Sequence, residues 1–220
     1  METHSAWYRL PPADYPNVDW SVFPPGSQDI EPDKNGFRGF VVEFYNIISD
    51  VVVQDGYQSI LNLRTVLKLI KSRHQRIKTC TRETDGAASY NSVFIALFTL
   101  LMHSETGIKV TEHGHNEGGH GEDICDTAGA NCIKQCWRYT AKTGLSIICA
   151  KASTKALQLA QMDGFLHRRV SHDPDCKIVL PRGIKFANVG TKSMLYKQYP
   201  TEGKYAGGII FRRYYGIGKG

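Results

Sequence analysis

None of the six cysteines forms a CxxC pair. Cys80, Cys125, Cys132, Cys136, Cys149 and Cys176 are spaced neither as a zinc ribbon nor as a disulfide framework, so reduced thiols are the expected state. Long apolar runs are missing as well. The most apolar stretch, residues 93–102, is far shorter than the roughly 20 residues that cross a bilayer. Residues 1–12 have no apolar centre of the kind a signal peptide needs. No internal repeat is visible. These absences exclude the disulfide-rich, membrane-spanning and solenoid classes and predict a soluble, intracellular protein.

The 220 residues are enough for a sizeable core and predict one domain. Hydrophobic content of 41% with 22% charged residues is ordinary for a globular chain. A formal net charge of +6 points mildly to an anionic partner, nucleic acid being the commonest.

Residues 1–16 read as an N-terminal arm and 17–220 as the core. Val18, Trp20 and Val22 alternate with polar neighbours, which predicts a short strand over 17–23, closed by Pro24 and Pro25. The β-branched and aromatic stretch 40–53 predicts a long strand or tight hairpin. Ile60, Leu63, Leu67 and Ile70 recur at helical spacing. A strand over 77–84 delivers Asp85 at its end, and 91–103, apolar on almost every side, predicts a helix buried between layers. A strand begins at 108–111, and 113–121 (HGHNEGGHG) reads as a flexible loop. A helix runs from Glu122 or Asp123 to about Lys142, where Gly144 ends it. A short strand over 145–150, a helix capped by Ser153 to about His167, and strands at 184–189, 193–199 and 208–215 complete the chain. The class is α/β, a mixed sheet with helices on its faces.

The candidate chemistry is carried by acids. Glu122 and Asp126 are four apart and share one helix face, where the helix dipole favours a carboxylate whether or not it has a function. Asp85, followed by Gly-Ala-Ala-Ser, is poor packing material at a strand end, although it could cap the next helix. Carboxylates from neighbouring elements can hold magnesium ions for phosphodiester chemistry.

DGAASYNS, GHGEDICDTAGANCIKQ and the closing FRRYYGIGKG resemble the catalytic core of cut-and-paste DNA transposases. Asp85 with Tyr90 matches the family's Asp-x-Ala-x-x-Tyr segment; Gly121 with Cys125 and Asp126 matches its Gly-Lys-x-x-Cys-Asp segment. The resemblance implies a ribonuclease-H-like fold, with helices on both faces of a mixed sheet. It also implies DDE/DDD-type acids, Mg²⁺ or Mn²⁺, DNA as the partner, and a nuclear location in a eukaryote. The metal ligands it implies are Asp85, Asp126 and, on the first strand, Asp19, with Asp29, Asp33 and Asp50 as competitors. Glu122 stands where the family usually has lysine and is the reserve third acid. The core comes without a separate DNA-binding module. A truncated, split or domesticated relative is therefore expected, as a homodimer or with a separate DNA-binding subunit. A module that binds nucleic acid or protein without catalysis is the alternative.

Three other groups complete the inventory. His113, His115, His120 and Cys125 depart from structural zinc spacing, and the glycines between them would make ligands costly to order, so zinc is not expected. Cys125, Cys132 and Cys136 form one helical stripe that reads as core. The basic C-terminal third offers Arg168, Arg169, Arg182, Lys185, Arg212 and Arg213 to nucleic acid, with tyrosines such as Tyr196 and Tyr199 interleaved for stacking.

Overall fold

Much of the expected N-terminal arm is a strand. In the computed structural model, which describes residues 1–50, 55–84, 90–115, 124–170 and 194–213, β1 (Glu2–Arg9) pairs antiparallel with β2 (Phe40–Ile48). The register is unbroken from Glu2↔Ile47 to Arg9↔Phe40. The described chain is α/β and divides into two compact units, each with its own mixed sheet.

Unit 1 comprises Met1–Asp50, Ser72–Arg76 and Asp123–Ser171. Its sheet has the order β1-β2-β5, with β5 (Phe165–Arg169) parallel to β2. Being central, β2 is the most buried strand: Tyr45, Asn46, Ile47 and Ile48 are all inside. The helices α4 (Ile124–Thr143) and α5 (Ala150–Ala160) pack on this sheet through Cys132, Ala150 and Leu157, which cluster with Ile48. The cysteine stripe is thus core, as its spacing predicts for Cys132 and Cys136. Cys125 instead donates weakly to Ser5 Oγ at 3.4 Å. Gly129 lets α4 approach closely, since a Cβ there would meet Thr3 Oγ1 at 3.4 Å.

Three sequence expectations fail in this unit. The strand expected over 17–23 is a 3₁₀ turn, Trp20–Val22. Asp19 accepts from Ser21 N and Ser21 Oγ at 3.1 and 2.6 Å, a local bond that competes with extended backbone. Residues 145–149 do not form a strand, and Leu145 and Ile148 are exposed. The next helix begins at Ala150, not at Ser153, because the Asp50 carboxylate accepts the Ala150 N–H. That helix stops at Ala160, where Gln161 adopts φ 46°, so Phe165–Arg169 join the sheet as a strand.

Unit 2 comprises Val51–Lys71, Ile77–Glu122 and His172–Gly220. It holds α1 (Gly56–Arg73) up to Lys71, then β3 (Thr79–Thr84), α2 (Val93–Leu101), α3 (His103–Thr106), β4 (Lys109–His115), β6 (Tyr196–Gln198) and β7 (Ile210–Arg212). The sheet order is β3-β4-β6-β7; β3 and β4 are parallel and the other pairs antiparallel. Parallel strands need a crossover, supplied here by α2 and α3. The helix α2 buries Ile95, Ala96, Leu97 and Thr99 but leaves Leu101 exposed, so part of its surface is open where the sequence predicts burial between layers. The C-terminal strands are shorter than the alternation suggests. The one expected over 184–189 lies outside the described residues.

Ser92 caps α2 by accepting from Ile95 N at 3.1 Å. Ser92→Ala is expected to cost about 1 kcal/mol, read as a shift in the urea midpoint with an unchanged slope.

Candidate functional site

The alternation of a strand brings the site together. His113 and His115 are two apart on β4, so both side chains emerge on one face. Across the parallel pair, Arg82 stands opposite His113 and Thr84 opposite His115. On the other side, β6 places Lys197 opposite His113. Thr84 Oγ1 bridges the imidazoles, 3.1 Å from His113 Nε2 and 2.8 Å from His115 Nδ1. Lys197 Nζ donates to Asn91 Oδ1 at 3.0 Å and contacts His115 Nε2. Lys197 and His113 are fully buried, and His115 is 7% exposed.

Donor and acceptor capacities give this chain of groups a direction. A lysine ammonium can only donate, so His115 Nε2 accepts from it and His115 Nδ1 carries the hydrogen. That hydrogen goes to Thr84 Oγ1, a hydroxyl that can either donate to His113 Nε2 or accept from it. His113 Nδ1 has no hydrogen-bond partner among the described residues. The result is a relay, Lys197–His115–Thr84–His113, beside the C-terminal ends of β3 and β4.

Burial and like charge set its electrostatics. Burial, with the nearby Arg82 guanidinium, lowers Lys197 to about 7. Burial pushes His113 well below the ordinary imidazole range, helped by Arg82, His115 and Lys197. His113 therefore stays neutral, while Lys197 titrates near neutrality.

A second buried polar cluster lies within unit 1. The Glu43 carboxylate accepts from Tyr8 Oη at 3.0 Å, Tyr45 Oη at 2.7 Å, Arg73 Nη2 at 2.8 Å and His74 Nε2 at 2.9 Å. Burial raises the Glu43 carboxyl, but the bonds from Tyr45, His74 and Arg73 outweigh it and the net shift is downward. An ionised carboxylate accepts only, so His74 Nε2 carries a hydrogen.

The residues expected from sequence are distributed differently. Asp85, Glu122, Arg182 and Lys185 lie outside the described residues, as does His120. Asp19 caps the 3₁₀ turn and is ion-paired with Arg76, so it is not on a strand as expected. Asp126 sits in the first turn of α4 and is exposed. Arg168 and Arg169 are exposed on β5, Arg169 lying 3.5 Å from Asp50. Arg212 is half-buried on β7, and Arg213 just beyond it is exposed. Tyr196 and Tyr199 are buried and not presented for stacking. His113 and His115 are buried on β4, His115 as its last residue, where the sequence suggested a solvated loop.

Among the described residues, no three His, Cys, Asp or Glu side chains gather as a metal ion would require. The relay is the feature that sequence reading missed. Its signal was the period of two in His-Gly-His, which fits a strand; the glycines masked it. Lys197 carried no signal of burial. No protein-family model matches this chain, and no curated protein matches it in sequence.

Proposed function

We propose that this chain is a DNA-binding α/β domain of ribonuclease-H-like descent, derived from a cut-and-paste transposase core. The observation that supports this reading is the unit β3–α2–β4. Two parallel strands joined by a crossover helix stand in the order the resemblance implies, with DGAASY following directly on β3 and the GEDICD segment coming after β4 and ending in the first turn of α4. Ligands of parallel α/β sheets bind beyond the carboxyl ends of the strands, which is where DGAASY begins. Exposed Arg168 supplies a contact for the phosphate backbone, and so does Arg213 in its own unit.

Metal-dependent strand cleavage is the second reading, and β3 running to Thr84 immediately before Asp85 favours it. In that form Mg²⁺ or Mn²⁺ would act as Lewis acid and activate the attacking oxygen. The commitment of Asp19 to Ser21 and Arg76 favours binding without cleavage.

One experiment tests both. Duplex DNA is titrated by anisotropy at several salt concentrations, and nicking of supercoiled DNA is followed with and without Mn²⁺. Binding should weaken as salt rises, and Arg168→Ala should lower the salt slope by about 1. Affinity independent of salt, or no binding at low salt, overturns the proposal. Nicking that needs Mn²⁺ and disappears in Asp85→Ala establishes cleavage; binding without nicking leaves the domain a binding module.

A further inference from the structure

The helical hairpin α4–α5 carries charge of almost one sign. From residue 127 to 162 there is no aspartate or glutamate, while Lys134, Arg138, Lys142, Lys151 and Lys155 supply five cations. All five are exposed, and none is held in an ion pair among the described residues. Between the two helices lies an open groove of about 370 Å³. Ile133, Trp137 and Thr140 line it from α4, Ala150 and Leu157 from α5, and Ile48 from β2.

Its apolar lining does not stop at the groove. Trp137 is 70% exposed and Ile133 48%, and on the connecting loop Ile148 is 88% exposed. Isolated exposed apolar residues are ordinary, but apolar side chains gathered around a concavity mark an interaction site, and here Lys134, Arg138 and Lys151 each directly follow a lining residue in sequence. The spacing of Ile133, Trp137 and Thr140 gives one continuous helical face.

We infer that this groove docks an acidic amphipathic helix of a partner protein, apolar face inward and carboxylates towards the cations of the two helices. Charge complementarity selects an acidic partner, because beyond Asp126 in the first turn of α4 the two helices carry five cations and no acid. Concavity and the aliphatic lining select a helix face. A row of anchors at i, i+3 and i+7 seats in a groove, whereas single-stranded nucleic acid gains mainly by stacking on rings, and Trp137 is the ring offered here. An anionic membrane would meet a convex apolar face better than a groove. This inference does not rest on the DNA reading, since its residues are separate from Arg168 and Arg213.

The test uses the full chain and a fluorescein-labelled helix-forming peptide of about 15–20 residues, with leucines on one face and glutamates on the other. Anisotropy should show saturable binding that weakens with salt. Trp137→Ala and the pair Lys134→Glu with Arg138→Glu should each lower affinity by about tenfold or more. These side chains are exposed, so thermal unfolding should be unchanged; Ile148→Asp, on the more exposed loop, provides a second variant. Equal affinity for a peptide of the same composition but scrambled order overturns the inference. So does binding that the variants do not weaken, or binding only to single-stranded DNA or to phosphatidylserine vesicles.

Discussion

Glu43→Ala is expected to destabilise the protein by about 3–5 kcal/mol, the range found when one member of a buried ion pair is removed. Four donors converge on this carboxylate from two strands and from the end of α1. His74 is 3% exposed and Tyr45 fully buried, so neither can turn to water when the acceptor is lost. Arg73 is 38% exposed along its side chain and can turn outward, so most of the penalty falls on His74 and the two tyrosines. Urea denaturation of wild type and variant measures the difference. A loss below about 1 kcal/mol, the level of an ordinary surface change, would show that the cluster contributes little. The sign of the pH effect is fixed too. The Glu43 carboxyl is lowered in the folded protein, so its stabilisation is present above the unfolded carboxyl value and fades as pH falls through the folded one. Wild type should therefore lose stability under acid faster than Glu43→Ala.

Raising the pH from 7 to about 8.5 is expected to stabilise the protein, and Lys197→Met should flatten that rise. Lys197 is lowered to about 7 when folded, whereas an unfolded lysine holds its proton to about 10.4. Between those values the unfolded chain binds more protons, so stability climbs with pH. Summed over the full window, the effect is on the order of a few kcal/mol. Other groups limit the window. Burial raises Cys80 to about 11 and also raises Tyr199, so both lose protons first in the unfolded chain and reverse the trend at higher pH. On the acid side His113, lowered when folded, removes stability as pH falls below about 6.5. Chemical denaturation of wild type and Lys197→Met at matched pH separates these contributions. Parallel curves for the two proteins from pH 7 to 8.5 would contradict a buried, titrating lysine.

Patterns that depend on neighbours in sequence were the legible ones. The period of Ile60, Leu63, Leu67 and Ile70 gave α1, and the β-branched residues after Phe40 gave β2. Gly144 ends α4 in the left-handed region, as its sequence position suggests. Features set by distant partners were not legible. Ser153 looked like a cap, but the cap comes from Asp50, a hundred residues away. ETHSAWYR has little apolar content and becomes a strand because β2 offers it a full register. Lys197 reads as a solvent-facing cation until the sheet places it beside two imidazoles. Of the acids read as metal ligands, Asp19 caps a 3₁₀ turn and pairs with Arg76, and Asp126 is exposed in the first turn of α4; a single sequence records neither.

The lysine end of the relay has a consequence for the imidazole beside it. As an ammonium, Lys197 can only donate, which fixes His115 as the tautomer with its hydrogen on Nδ1. As a neutral amine it can accept as well as donate, and the same heavy-atom positions then support the other His115 tautomer too. A proton lost at the lysine thus frees the neighbouring ring to shift its own hydrogen without any displacement of the backbone.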